Sequence, residues 1–166
     1  MRSDMTLIVD VDGVLTDGTF WYTEEGKVAK RFGPDDNEAL GLLRKYMDIV
    51  IVSGDKRGWD ITKSRIDDMG FQLQYVPGGR KRLDWIKERY DPAKVIYIGD
   101  GLKDWIVFEG VEFAICTADA LEMTQDAADC VLFNDGGHRA VAEAVDVIGR
   151  RYLDTPLPRM IQEAEQ

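Results

Sequence analysis

The sequence predicts a doubly wound α/β domain built on a mainly parallel sheet, and three observations carry that expectation. Short apolar runs recur along the chain without internal polar alternation, as in strands buried on both faces. Amphipathic segments of helical length separate them. Acidic, Gly and Ser residues gather where the runs end, which is where open α/β sheets place their ligand sites.

The first predicted strand, Leu7–Val9, runs into Asp10-Val11-Asp12-Gly13. Residues two apart in an extended chain face the same side, so Asp10 and Asp12 converge. Gly13 then permits a tight turn. Two close carboxylates repel, which raises a pKa or demands a cation. Taken alone, the Asp-x-Asp-Gly pattern is also compatible with a simple capped turn. Residues 19–32 read as a β-hairpin, with Glu24-Glu25-Gly26 as its turn. Chain order puts this hairpin beside the end of the first strand, as a flap, with Trp21 the tryptophan best placed to touch a substrate.

A helix over Asn37–Tyr46 leads to the second buried strand, Ile49–Val52, and then to Ser53-Gly54. A hydroxyl and an unobstructed amide at a strand end suit a phosphate group. The helix Gly58–Met69, the strand Leu73–Val76 and the helix Lys81–Tyr90 follow, the last opened by the basic cluster Arg80-Lys81-Arg82. The strand Val95–Ile98 ends at Gly99-Asp100, and Asp104 opens the short helix Asp104–Phe108. An acid at a helix start also has a purely structural reading. The last strands are Phe113–Cys116 and Cys130–Phe133, with helices Ala118–Gln125 and His138–Tyr152. Trp85 and Trp105 lie on helical patterns as packing residues, and His138 reads as a surface or cap residue.

Thr155-Pro156-Leu157-Pro158 stops the preceding helix, because proline lacks the donor and disfavours α geometry before it. Residues 1–152 are therefore expected to form one domain and 153–166 an arm, disordered or docked on a neighbouring subunit.

The 166 residues fit a single domain, and 45% of them are hydrophobic. A net charge of −10 disfavours a nucleic-acid partner, which needs a basic footprint. Met1 to Thr6 is short and polar, so no secretory leader is expected, and no run is long enough to span a membrane. Cys116 and Cys130 sit in apolar contexts as small hydrophobes, consistent with a reducing, cytoplasmic location.

Parallel strands bring their C-terminal ends together, so Asp10, Asp12, Ser53 and Asp100 are expected around one site. Three hard oxygen donors, Asp10, Asp12 and Asp100, suit Mg²⁺. A carboxylate can act as a covalent nucleophile, and phosphoryl transfer asks the protein mainly for positioning and charge neutralisation. The basic cluster at Arg80–Arg82 is the expected source of a phosphate-facing cation. These residues favour a phosphoryl-transfer enzyme over a non-catalytic scaffold module.

The order Asp10-Val11-Asp12-Gly13-Val14-Leu15-Thr16-Asp17-Gly18, Ser53-Gly54, Lys81 and Gly99-Asp100-Gly101-Leu102-Lys103-Asp104 resembles the haloacid dehalogenase superfamily over nearly the whole chain. Within it the chain is most similar to the capless 3-deoxy-manno-octulosonate 8-phosphate phosphatase group. The hairpin, the stretch from Arg65 to Gly70 and Gly136-Gly137 fit that pattern. The resemblance implies a Rossmann-like fold and an aspartyl-phosphate mechanism. Asp10 would be the nucleophile and Asp12 the general acid and base. Ser53, Gly54 and Lys81 would bind phosphate. Asp10, the Asp12 main-chain carbonyl and Asp100 would hold Mg²⁺, supported by Asp104. It further implies a phosphorylated sugar or sugar-acid substrate and a homotetramer. A nucleotide or phosphoglycolate is the alternative substrate class.

The chain departs from the group in three ways. Asp55 stands where the group has an arginine, with Arg57 a candidate replacement. Gly101 replaces a second acid after Asp100. The segment from Lys81 to Gly99 is short, which makes Arg80 an alternative to Lys81.

Overall fold

The computed structural model describes residues 2–166. Its main sheet has six strands in the order β5-β4-β1-β6-β7-β8, every neighbouring pair parallel. The strands are β1 (Thr6–Asp10), β4 (Asp48–Ser53), β5 (Leu73–Tyr75), β6 (Val95–Gly99), β7 (Phe113–Cys116) and β8 (Cys130–Val131). The strands β2 (Thr16–Thr23) and β3 (Gly26–Phe32) form a separate antiparallel hairpin. The helices are α1 (Asp35–Leu43), α2 (Trp59–Asp68), α3 (Arg80–Arg89), α4 (Asp104–Phe108), α5 (Glu122–Ala127), α6 (Ala140–Tyr152) and α7 (Leu157–Ala164).

The unbroken apolar runs are explained by a core on each face of the sheet. Along β1, Leu7 and Val9 point to one layer with Leu40 and Leu43 of α1 and Val141, Val145 and Ile148 of α6. Ile8 points to the other layer with Ile86 of α3 and Val107 and Phe108 of α4. Both directions are water-free, so each position along the strand favours an apolar side chain.

The order of strands places the site. The chain winds outward from β1 through β4 to β5, then returns to β6 on the other side of β1. Strands β4 and β6 thus flank β1, with Asp10 in register with Val52 and Val9 with Ile98. Asp10, Ser53 and the Gly99-Asp100 loop therefore emerge side by side at the switch point, where a crevice opens.

Two sequence expectations are corrected here. The hairpin begins at Thr16, not Thr19, because β2 continues directly from the turn at residues 11–15. The tail is not an unstructured arm. Residues 157–164 form α7, with Pro156 as N-cap and Pro158 in the first turn, where a missing N–H costs nothing. Its Met160 is buried in the core that α1 and α6 share, Asp146 accepts from the Leu157 amide at 2.8 Å, and the Tyr46 hydroxyl donates to Glu163 at 2.6 Å. The prolines end one helix and start the next.

Candidate active site

The loop after β1 is built by close approach. Gly13 has φ 85°, and a Cβ there would lie 1.9 Å from an Asp100 carboxylate oxygen. Glycine is thus required twice over, for the turn and to let Asp100 lie against the loop. The Thr16 hydroxyl accepts from the Gly13 amide at 3.1 Å and the Gly18 amide at 3.2 Å, locking the turn from inside. Gly136 and Gly137 let the segment before α6 pack on the same loop, where a Cβ at Gly136 would meet the Gly13 carbonyl at 1.9 Å.

Asp10, Asp100 and Asp104 each offer an oxygen within 4.8 Å of the others. Asp104 is committed to the protein: it accepts from the amides of Asp100 and Gly101 at 3.0 and 2.8 Å and from the Tyr97 hydroxyl at 2.8 Å. It therefore shapes the loop that presents Asp100. Asp100 is the opposite case, since its Oδ1 is buried without a partner among the described residues. Burial, with Asp10 and Asp104 beside it, pushes the Asp100 carboxyl up to about 8. Burial likewise pushes Asp10 up to about 7, against the pull of Arg82. Buried, mutually repelling carboxylates with a vacant oxygen fit a divalent cation.

The cation facing Asp10 is Arg82, not the expected Lys81 or the alternative Arg80. Both of those side chains are exposed on α3, whereas Arg82 is 3% exposed. Its guanidinium donates to Asp10 Oδ1 at 2.7 Å, to the Tyr97 hydroxyl at 2.6 Å and to the Val76 carbonyl at 2.7 Å. Burial works against its charge, but Asp10, Tyr97 and Asp104 outweigh it and raise its pKa. A signal existed in the sequence: Leu83 and Ile86 mark the inner face of α3, and Arg82 lies one turn before Ile86 on that face. Lys81 falls on the outer one.

Ser53 is buried, and its hydroxyl lies 3.4 Å from Asp12 Oδ2 and accepts from the Asp55 amide at 3.1 Å. Gly54 is exposed beside it. The Asp12 side chain turns away from the acidic trio. Its Oδ1 pairs with Lys30 of β3 at 2.6 Å. Asp55 takes no cation's place: it binds Lys27 at 2.5 Å and Lys30 at 2.8 Å. Burial alone would raise its carboxyl, yet hydrogen bonds from the two lysines hold it well below the usual carboxylate range. Neither lysine was singled out from the sequence. Their partners lie well outside any local window of sequence, with Lys27 and Asp55 separated by 28 residues, and the register shifts in the hairpin obscure which side chains share a face.

No protein-family model matches the chain. The 3-deoxy-D-manno-octulosonate 8-phosphate phosphatase of Escherichia coli (strain K12) is 31% identical over 147 residues, covering 86% of this chain and 77% of that protein. The chain belongs to the haloacid dehalogenase superfamily, in the capless 3-deoxy-manno-octulosonate 8-phosphate phosphatase group. The phosphatase aligns with the cobalt-bound deoxy-D-mannose-octulosonate 8-phosphate phosphatase of Haemophilus influenzae at TM-score 0.77 and 30% identity, covering 87% of this chain and 86% of that one. A Moraxella catarrhalis phosphatase of the same name, in complex with magnesium ion, phosphate ion and a KDO molecule, aligns at TM-score 0.76 and 26% identity, covering 87% and 85%. The parallel sheet and the small hairpin of this haloacid dehalogenase phosphatase are those the sequence predicts.

Proposed function

We propose that the protein hydrolyses the phosphate monoester of a small sugar or sugar acid, of the 3-deoxy-manno-octulosonate 8-phosphate kind, through an aspartyl-phosphate on Asp10. The observation that carries this is the placement of Asp10. It is buried at the end of the central strand, with Oδ1 held by Arg82 at 2.7 Å and Oδ2 left for attack. Asp10 displaces the sugar alkoxide from phosphorus, and Asp12 protonates that leaving oxygen. Asp12 then takes a proton from the water that cleaves the acyl phosphate, restoring Asp10. Ser53 and the Gly54 amide hold phosphoryl oxygens, and Arg82 in place of Lys81 balances their charge. Asp10 and Asp100, with the Asp12 main-chain carbonyl, are the residues that would hold Mg²⁺, which when bound neutralises phosphoryl charge and orients the phosphate.

The protein is read as a cytoplasmic homotetramer. Among the described residues no helix is long and apolar enough to cross a membrane. Phe20, Trp21, Tyr22 and Val28 on the hairpin are exposed, and apolar side chains left in water suit contact with a partner subunit.

Turnover of p-nitrophenyl phosphate should need Mg²⁺ and stop in excess chelator. Across a panel of sugar phosphates, phosphorylated sugar acids, nucleotides and phosphoglycolate, the sugar acids should show the highest kcat/KM. Chelator-resistant turnover would sink the metal-assisted mechanism, and a preference for nucleotides or phosphoglycolate the substrate class. Light scattering showing a fully active monomer would sink the tetramer.

A further inference from the structure

Lys30 is an unusual residue for a two-stranded flap. Its side chain is only 1% exposed, and its ammonium has three polar partners: it forms ion pairs with Asp12 Oδ1 at 2.6 Å and Asp55 Oδ2 at 2.8 Å and donates to the Thr62 hydroxyl at 2.8 Å. Two carboxylates and a hydroxyl therefore surround the one ammonium. A buried lysine is costly unless its charge is paired, and here two carboxylates pair it. The space for it is also made locally. A Cβ at Gly58 would lie 2.3 Å from Asp55 Oδ2, 2.7 Å from Lys30 Cε and 2.9 Å from Lys27 Cδ. Gly58 has φ −101°, which any residue adopts, so what it contributes is room.

We propose that Lys30 is a positioning residue for Asp12: its ammonium, anchored on Asp55 and Thr62, fixes Oδ1 and leaves Oδ2 facing the phosphoryl pocket as the oxygen that moves the proton. This rests on the phosphatase reading above. The two oxygens of Asp12 are held from opposite sides, Oδ1 by the hairpin and Oδ2 near Ser53 of β4 at 3.4 Å. An oxygen already paired with an ammonium is a poor place for a proton, so proton transfer is confined to Oδ2. The Asp12 side chain is 35% exposed, so without Lys30 water would compete for it and the carboxylate would rotate. Misplacing a proton donor by about 1 Å costs on the order of 10²-fold in rate. The hairpin thus enters the chemistry through one side chain.

The test compares kcat/KM, which reports the step that expels the leaving group, for an alkyl phosphate and for p-nitrophenyl phosphate, with Mg²⁺ present. A nitrophenolate leaves without protonation and an alkoxide does not. In Lys30→Met the alkyl ester should lose ~10–100-fold and p-nitrophenyl phosphate less than about 3-fold. Gly58→Ala, which displaces the lysines without removing a charge, should show the same asymmetry if Lys30→Met fails to fold. In nitrogen-15 NMR the Lys30 ammonium should give a slowly exchanging signal in the wild type that Gly58→Ala abolishes. Equal losses for both esters, or no loss, in a folded variant would overturn the positioning role while leaving the phosphatase reading standing. A wild type that turns over neither ester defeats the phosphatase reading and the positioning role together.

Discussion

The six-stranded sheet and the two-stranded hairpin both use β-branched and aromatic residues, yet different forces hold them in place. Strands β1, β6 and β7 are buried on both faces by apolar side chains, and Leu7, Ile8, Val9, Ile96, Ile98 and Ile115 are inaccessible to water. The hairpin has no such layer. Phe20, Trp21 and Tyr22 are exposed, and Lys27 and Lys30 tie it to the body through Asp12 and Asp55. Burial is non-directional and fixes a scaffold, whereas ion pairs are directional and fix particular oxygens. The scaffold carries Asp10 and Asp100, and the hairpin governs how Asp12 is presented.

The contrast is sharpest in activity at the end of the central strand. Asp10→Asn should reduce turnover by about 10⁴-fold or more with the fold retained, because the amide keeps the shape and loses the nucleophile. Steady-state kinetics beside circular dichroism would check it, and substantial residual turnover in a clean preparation would remove Asp10 from the mechanism.

Stability should divide the same way. Ile98→Ala in β6 should cost about 2–5 kcal/mol in urea unfolding, since it leaves a cavity in a closed core. Val28→Ala on the half-exposed face of β3 should stay within about 0.5 kcal/mol. Comparable losses at the two positions would show that the hairpin is packed like the sheet.

Two acids, one buried and one half-buried, give the comparison a pH signature. Burial pushes Asp36 in α1 up to about 6, with one oxygen accepting from the Ala142 amide and the other unpartnered among the described residues. Its folded pKa lies above the unfolded value of 3.8, so the folded state binds more protons between these values. Stability should therefore fall as pH rises from near 4 to 6, by roughly 1–3 kcal/mol, and Asp36→Asn should flatten that slope. Asp55 runs the other way: its folded pKa is depressed, so its contribution is present above the unfolded value and lost as pH falls through the acid range. Urea midpoints against pH for wild type and Asp36→Asn test this, and an unchanged slope would mean Asp36 does not titrate in that window.

The most local effect should come from the hairpin's own tether. Lys27→Met removes one of Asp55's two cations and a contact 3.9 Å from the Phe20 ring centre. It should cost about 1–2 kcal/mol, mostly as local opening. Faster proteolysis or hydrogen exchange in residues 16–32, with β1 and β6 unchanged, is the expected reading. Protection lost evenly across the molecule would mean the hairpin folds as one unit with the sheet.

The amino-acid sequence by itself determined the strands, their burial on both faces, and the acids and serine at their ends, because those features are local: period, composition and turn chemistry within a few residues. Asp10, Asp12, Ser53 and Asp100 were legible for that reason. Tertiary structure decided where Asp12 points and where the tail goes, and it turned a faint local signal, the apolar phase of α3, into the choice of cation that meets Asp10. Lys81 and Arg82 are adjacent, and only the phase of α3 against the sheet turns Arg82 inward across 72 residues of separation. Asp55 looks like an acid intruding on a phosphate site until the hairpin folds over it and supplies two ammonium groups. The prolines near residue 156 read locally as a helix stop, but the apolar groove between α1 and α6 accepts Met160 and makes them a helix start. In each case a partner distant in sequence sets the outcome, and its position is known only once the layers are packed.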